Sequence, residues 1–93
     1  MEFVWDETKN RKNVQKHDLD FRDVPCVFEG NTITFEDDRF DYGETRFNTI
    51  GLFQDFVVVI THTEWKRPTR IISMRKASDR ERKFYEKEIL LKY

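Results

Sequence analysis

The sequence predicts one α+β domain, in which an antiparallel meander of four strands packs with two N-terminal helices and one C-terminal helix. Three observations indicate this fold. Between residues 31 and 78, four β-prone segments follow one another through short links, which favour antiparallel neighbours. Phe56-Val-Val-Val-Ile60 is apolar throughout, as expected of a central strand covered on both faces. Segments with helical periodicity stand on either side of the strands and can cover the sheet.

The N-terminal segment predicts a short strand followed by an unusual helix. Phe3-Val-Trp5 is β-prone, and Asp6 is a suitable N-cap for a helix from Glu7 to about His17. The stripe where a core-facing helix carries apolar groups holds instead Lys9, Asn13, Lys16 and His17. Val14 is the one clear apolar anchor. Two interpretations stay open: a solvated surface helix, or a cationic stripe that ends in a titratable imidazole.

A second, short or bent helix is predicted to end near Gly30. Its buried face is expected to carry Phe21, Val24 and Phe28. Pro25 distorts this helix if Asp20 is the N-cap, and fits the first turn if Asp23 is the N-cap. Cys26 is expected to be a small, partly buried residue; a single cysteine provides neither an intrachain disulfide nor a Cys-based zinc site.

The first three strands of the meander are predicted at residues 31–35, 45–52 and 56–63, with a turn at 53–55 between the last two. The loop at 36–43 is polar. Its aspartates lack the spacing, the glycine and the terminal glutamate of a calcium loop, so we expect no metal there. His62, at the polar end of its strand, is expected to be structural or surface-exposed rather than a catalytic base.

A loop at 64–69 leads to the fourth strand, which runs directly into the last helix. The apolar side of this helix is predicted to carry Phe84, Tyr85, Ile89, Leu90 and Leu91. Regular alternation puts Arg70, Ile72 and Met74 on one face and Ile71, Ser73 and Arg75 on the other. Ser78 followed by Glu81 has the spacing of a capping box. In a regular strand Arg70 and Arg75 point to opposite faces. They can therefore contact one phosphate only if the strand bends or Arg75 lies past its end.

The charges are balanced in number but unevenly distributed. The chain has a formal net charge of -1, which does not favour nucleic-acid binding through net charge alone. Residues 29–44 are acidic, whereas residues 70–87 carry seven lysines or arginines against three acids. No signal peptide or bilayer-spanning apolar run is found, so we expect one cytoplasmic domain of 93 residues without a membrane segment.

A family pattern runs along nearly the whole chain. The residues that carry it are Phe3-Val-Trp-Asp6, Lys9, Asn13, Lys16-His17, Phe21, Phe28, Tyr42-Gly-Glu44, Arg46, Ile50-Gly51, Val57 to Val59, Arg70-Ile-Ile-Ser73, Arg75-Lys-Ala77, Arg80-Glu-Arg82 and Tyr85. In order and spacing this set resembles the BrnT toxins of BrnT/BrnA toxin-antitoxin pairs. Asp18 stands where the family usually has Gly, Pro25 where it has a helix former, and Met74 where it often has Ala.

The resemblance implies a RelE-like fold and a metal-independent endoribonuclease, without a cofactor, that stops translation by cutting RNA. The implied partners are RNA and a cognate BrnA-like antitoxin, and the toxin contacts operator DNA only through that antitoxin. The implied assembly with the antitoxin is a heterotetramer. Cleavage through the 2′-hydroxyl needs a base, an acid and cations that stabilise the phosphorane-like transition state. The catalytic candidates are His17 as base or acid, Glu44 as alternative base, and Arg46, Arg70 and Arg75 on the phosphate.

The candidates for holding RNA outside the reaction centre are Lys9, Lys16 and Lys76 on the backbone, with Trp5 or Tyr85 stacking on a base. Structural alternatives stand beside these roles. Arg70 would instead pair with the acidic loop, Arg75 and Lys76 would serve the helix cap, and Tyr85 would belong to the core. The competing function is a non-catalytic module that binds RNA or an acidic protein with the same basic surface.

Overall fold

A mixed sheet of five strands forms the centre of the computed structural model, which describes residues 2–39, 41, 43–64 and 68–90. The elements are β1 (Phe3–Val4), α1 (Glu7–His17), a 3-10 turn (Phe21–Asp23), α2 (Val24–Phe28), β2 (Ile33–Glu36), β3 (Arg46–Phe53), β4 (Phe56–Thr63), β5 (Thr69–Lys76), α3 (Asp79–Tyr85) and a π-helical turn (Glu86–Leu90). Tyr42 of the family pattern, part of the predicted loop at 64–69 and Leu91 of the predicted last helix fall outside the described residues.

The predicted meander is confirmed. Strands β2 to β5 pair in sequence order with antiparallel neighbours, and β1 adds to the far edge in parallel with β5. The turn between β3 and β4 has a left-handed residue at Gln54, with φ of 55°. The short links fix this topology because each leaves the chain room only to return beside the strand it has just formed.

The first face of the sheet carries the larger core. Val58, Ile60 and Met74 are fully buried there, against Phe21 of the 3-10 turn and Val24 of α2. The short, bent second helix is confirmed, since Asp20 caps the 3-10 turn and Pro25 lies in the first turn of α2. Cys26, however, is exposed rather than partly buried, because it lies on the outward side of α2.

The second face carries a smaller core under α3. Tyr85 is 1% exposed and packs against Ile50, Val57 and Val59, which project from β3 and β4. Its hydroxyl donates a 2.7 Å hydrogen bond to the carbonyl oxygen of Asn31. Both faces of the central strand are therefore covered, as its apolar sequence predicts.

Helix α1 has the predicted bounds and is attached to β5 and to the 3-10 turn by asparagines rather than by apolar residues. The Asn13 side chain donates to the carbonyl oxygen of Met74 at 2.8 Å and accepts from the amide of Met74 at 3.2 Å. Asn10 accepts from the amide of Phe21 at 2.9 Å. Val14 is 37% exposed, so the expectation that it anchors the helix is wrong. Strand β1 pairs with only the first residues of β5, and Asn13 supplies hydrogen bonds to the β5 backbone further along, at Met74.

The end of α1 has a left-handed residue. Asp18 is the C-cap with φ of 58°, and its amide donates to the carbonyl oxygen of Val14. This is the position where the resembling family usually has glycine, the residue that adopts this conformation most readily. The helix therefore ends here with the usual left-handed C-cap in spite of the substitution.

His62 is a core residue, which agrees with the structural role expected for it. Its ring is fully buried between Phe28 and Phe47. Nδ1 lies 2.6 Å from the carbonyl oxygen of Thr63, which can only accept, so Nδ1 carries the proton. Nε2 then accepts from the Thr49 hydroxyl at 2.7 Å. Burial lowers the pKa of His62 below its ordinary value, because the charged ring would lose its hydration.

We expect the free energy of unfolding to fall as the pH falls below about 6.5, the ordinary pKa of the unfolded histidine. The unfolded chain takes up a proton there, while buried His62 resists protonation until its lower folded-state pKa is reached. His17, whose pKa is also lowered, acts in the same direction. Urea denaturation between pH 7.5 and 5.5 should give a shallower pH slope for His62→Gln than for the wild type. An unchanged slope would contradict the assignment.

Candidate active site

A β-bulge in β5 determines which arginines share a face of the sheet. Ser73 lies opposite Thr61, but Ile71 lies opposite His62, so Ile72 is an extra residue in β5. The regular alternation predicted for this strand is therefore wrong. The bulge shifts the pattern by one residue, which places Arg70 on the same face as Ser73 and Arg75. We call the second face of the sheet, which carries these side chains, the arginine face.

Glu44 links two arginines of this face. Its Oε1 accepts from the guanidinium of Arg70 and, at 3.5 Å, from Nη2 of Arg46. Arg46 lies opposite Thr63 in the β3–β4 ladder, which puts it on the arginine face as well. The side chains of Arg46 and Arg70 are 23% and 42% exposed, so both remain accessible to a ligand. The predicted pairing of Arg70 with the acidic segment is thus present through Glu44.

Arg75 is held by the N-terminus of α3. Its Nη1 and Nη2 donate to the two oxygens of Glu81 at 2.7 and 2.9 Å. The same carboxylate completes the predicted capping box, because it also accepts from the amide of Ser78 at 2.8 Å. These contacts lower the pKa of Glu81 to about 2. The carboxylate is therefore ionised at every physiological pH and fixes the direction of the guanidinium.

Helix α1 and β5 enclose a groove of about 250 Å³ beside these arginines. Its lining residues are Lys9, Lys12, Asn13, Lys16, His17, Ile72 and Ser73. The bulge residue and a residue of the arginine face thus form one wall, and the cationic stripe of α1 forms the other. The interpretation of α1 as a cationic stripe describes this groove better than a fully solvated helix, since His17 and Asn13 are not fully exposed.

His17 is electrostatically coupled to this cluster. Partial burial lowers its pKa, and the charges of Lys16 and Arg75 lower it further. The imidazole is therefore mainly neutral near pH 7 and able to accept a proton. His17 and Ser73 line the same groove, so the end of α1 lies beside the arginine face.

Three residues expected to hold RNA lie elsewhere. Lys76 is on the first face, with its ammonium 4.3 Å from the centre of the Phe56 ring. Trp5 packs edge-on against Phe21 of the first core. Tyr85 is buried in the second core, as the structural alternative states. Lys76 and Arg75 are consecutive strand residues, so their side chains lie on opposite faces of the sheet. The rings of Trp5 and Tyr85 pack against apolar core residues.

Two residues near the site were not singled out from the sequence. The sequence predicts Glu81 only as a capping residue. Its position six residues after Arg75, across the junction of strand and helix, is the signal that could indicate the Arg75–Glu81 ion pair. Lys12 follows Lys9 by three residues, a spacing that places both on one helix face.

In the described part of the chain, no group of three or more His, Cys, Asp or Glu side chains could hold a metal ion. Asp37 instead pairs with Arg39 at 2.9 Å.

Replacing Glu81 with glutamine should separate the structural role of this residue from its effect on Arg75. The Glu81 pKa of about 2 implies stabilisation that is complete above about pH 4.5 and lost as the pH falls toward 2. After allowance for solvent screening, we expect Glu81→Gln to lower the free energy of unfolding by about 1 kcal/mol at pH 7. The family resemblance implies that Arg75 binds RNA, so the KM for RNA should also rise, because Arg75 loses its fixed direction.

Urea denaturation at pH 7 and pH 3 and steady-state cleavage kinetics check both effects. Glu86→Gln is the matched control, since Glu86 follows α3 directly and accepts at 3.0 Å from Arg82, an arginine of α3 rather than of β5. Equal effects of the two substitutions on KM would contradict a role of Glu81 at the site.

The comparisons with known proteins identify one family. The sequence model of a family described as "Ribonuclease toxin, BrnT, of type II toxin-antitoxin system" matches residues 5–81, which include α1, the whole meander and the start of α3. A search of curated proteins finds no match. None of the described helices has the length and apolar character required to cross a bilayer. The match covers most of the chain, so this protein belongs to the BrnT family, the ribonuclease toxins of type II toxin-antitoxin systems.

Proposed function

We propose that the chain cleaves RNA on the arginine face by attack of a ribose 2′-hydroxyl on the adjacent phosphate, without a metal ion. The observation that carries this proposal is the bulge at Ile72, because it brings Arg70 and Arg75 to one face beside the groove that contains His17. The reaction forms a bond between the 2′-oxygen and phosphorus and breaks the bond to the 5′-oxygen. Its transition state carries more negative charge on the phosphoryl oxygens than the substrate, which favours a cluster of cations.

Arg75 and Arg70 are the proposed phosphate ligands. Glu81 occupies the Nη1–Nη2 edge of Arg75, and among the described residues its Nε edge has no acceptor. A guanidinium can bind a carboxylate with one edge and a phosphate with the other, with two parallel hydrogen bonds to each. Glu44 is proposed to hold Arg46 and Arg70 in a corresponding way rather than to act as the base.

His17 is proposed as the base that removes the 2′-hydroxyl proton. Its lowered pKa leaves the ring neutral at pH 7, as a base requires. Once protonated, the same ring can return a proton to the leaving 5′-oxygen, which would give it both roles in one turnover. Lys9, Lys16 and Lys12 line the groove and are proposed to bind neighbouring phosphates. Trp5, Lys76 and Tyr85 are left out because of their positions.

The biological consequence we infer is inhibition of translation in the cytoplasm, with neutralisation by a cognate BrnA-like antitoxin that binds operator DNA. The family implies an antitoxin partner. We propose that the antitoxin covers the arginine face or the end of the last helix, where Leu90 is 44% exposed. A heterotetramer is the proposed assembly.

The direct test incubates the purified protein with single-stranded RNA in the presence of EDTA. A second reaction uses a translation extract, which contains ribosomes, without EDTA. We expect fragments that end in a 2′,3′-cyclic phosphate or 3′-phosphate, and no cleavage at a position that carries a 2′-deoxyribose. RNA that stays intact in both settings at high protein concentration would exclude the nuclease. RNA that is bound but uncut would favour the alternative, a non-catalytic binding module.

A further inference from the structure

An apolar groove of about 430 Å³ lies on the arginine face, between β2–β3 and α3. Its lining residues are Ile33, Phe35, Ile50, Arg80, Glu81 and Phe84. The rings of Phe35 and Phe84 come from opposite walls and remain 41% and 46% exposed. Each of these residues keeps nearly half of its surface in contact with solvent, and this apolar surface is available to a ligand.

This groove begins where the arginine cluster ends. Glu81 is common to both, because it lines the groove and holds Arg75 at 2.7 Å. Arg75 and the groove therefore have Glu81 as a shared neighbour. Arg80 adds a second guanidinium at the groove itself. The same face thus carries guanidinium groups and aromatic rings.

We propose that the groove binds a nucleobase of the RNA substrate, stacked on Phe84 and Phe35, while its phosphate lies on the arginine cluster. RNA is the ligand class that presents a phosphate and a flat, largely apolar ring within one residue. An acidic protein segment would also be attracted by the arginines but has no requirement for aromatic walls. This inference rests on the proposed function, since it places the substrate of the same site.

Stacking also accounts for the aromatic role that Trp5 and Tyr85 do not fill. Both of those rings are engaged in core packing, whereas Phe35 and Phe84 are directed into open space on the cation-bearing face. The guanidinium of Arg80 can stack on or donate to the edge of the base. The groove is thereby assigned as a base subsite adjacent to the cleaved phosphate.

The test is equilibrium binding of a single-stranded 2′-O-methyl RNA, which lacks the nucleophilic hydroxyl and cannot be cut. Phe84→Ala and Phe35→Ala should each weaken binding by about tenfold, as expected for loss of one base stack. Phe84→Tyr should retain the affinity and Phe84→Leu should not, since only tyrosine keeps an aromatic face. The control is Phe56→Ala, because Phe56 is 44% exposed and lies on the first face.

An oligonucleotide with single abasic sites locates the base. One abasic position should weaken binding to the wild type more than it weakens binding to Phe84→Ala, because the variant has already lost one of the two stacks. Equal RNA affinity of the wild type, Phe84→Ala and Phe84→Leu would overturn the proposal, and a loss of antitoxin binding in those variants would then assign the groove to the protein partner. Failure of cleavage with intact stacking would reject the proposed reaction but not the base subsite.

Discussion

Replacing Arg75 with alanine is expected to lower the rate of RNA cleavage by about two to three orders of magnitude. Donors directed at a developing negative charge contribute effects of this size when they act outside bulk water. Arg75 is suited to such a role because Glu81 holds it with two short hydrogen bonds and its side chain is 34% exposed. The guanidinium therefore meets the phosphate without first being ordered.

Arg75→Lys should recover only part of the lost activity, since an ammonium keeps the charge but cannot bind a carboxylate and a phosphate through two planar edges. Arg70→Ala should reduce cleavage as well, and the double variant should lose less than the product of the two single effects if both residues bind one phosphate. Single-turnover kinetics on RNA provide the measurement.

Arg82→Ala is the matched control for these variants. Arg82 has a side-chain exposure of 43%, close to the 42% of Arg70, and forms its ion pairs with Asp79 and Glu86 along α3. We expect it to cleave RNA at nearly the wild-type rate. A loss as large as that of Arg75→Ala would show that general positive charge, rather than the geometry of the arginine face, governs the reaction.

The sequence predicted the fold from features that are local. Alternation, the apolar run at 56–60 and the short links were sufficient for the meander, and the Asp6 and Ser78 caps gave the starts of α1 and α3. Each of these signals acts over a few residues. Tertiary contacts therefore had little opportunity to override them.

The site was predicted less completely because it depends on two non-local features. One is the bulge at Ile72, which reverses the expected relation between Arg70 and Arg75 and which alternation alone does not reveal. The other is the contact between α1 and its neighbours, which is made by asparagine side chains where a helix usually has apolar residues. The periodicity of α1 made its inner stripe look solvated, although Asn10 and Asn13 are 1% and 7% exposed. Hydrogen bonds to backbone groups, and not hydrophobic burial, hold this helix.

Replacing Asn13 with alanine is expected to lower the free energy of unfolding by about 3 kcal/mol. The substitution removes the bonds from Nδ2 to the carbonyl oxygens of Leu19 and Met74, at 2.9 and 2.8 Å, and the bond from the Met74 amide to Oδ1 at 3.2 Å. The Met74 amide and carbonyl lie at the β5 edge, buried under α1. Without Asn13 these two groups lose their hydrogen-bond partner in the protein, and their burial keeps water from replacing it.

Urea denaturation measures this loss, with Gln15→Ala as the control. Gln15 is an exposed residue of the same helix, and its replacement should change the free energy of unfolding by less than about 0.5 kcal/mol. Equal stability of the two variants would contradict the assigned bonds. Asn13→Asp should be no better than alanine, since a carboxylate cannot donate to two carbonyl oxygens.

The same substitution should reduce cleavage even under conditions in which the variant remains folded. Asn13 fixes the distance between α1 and β5, and the groove between them contains His17, Lys9 and Lys16. A base held loosely by even a fraction of an ångström loses much of the benefit of its position. We therefore expect Asn13→Ala to lower the cleavage rate by more than it lowers RNA affinity, because the arginines of β5 keep their place while His17 and the lysines of α1 shift. Equal losses of affinity and cleavage rate would contradict a specific role of Asn13 in positioning His17.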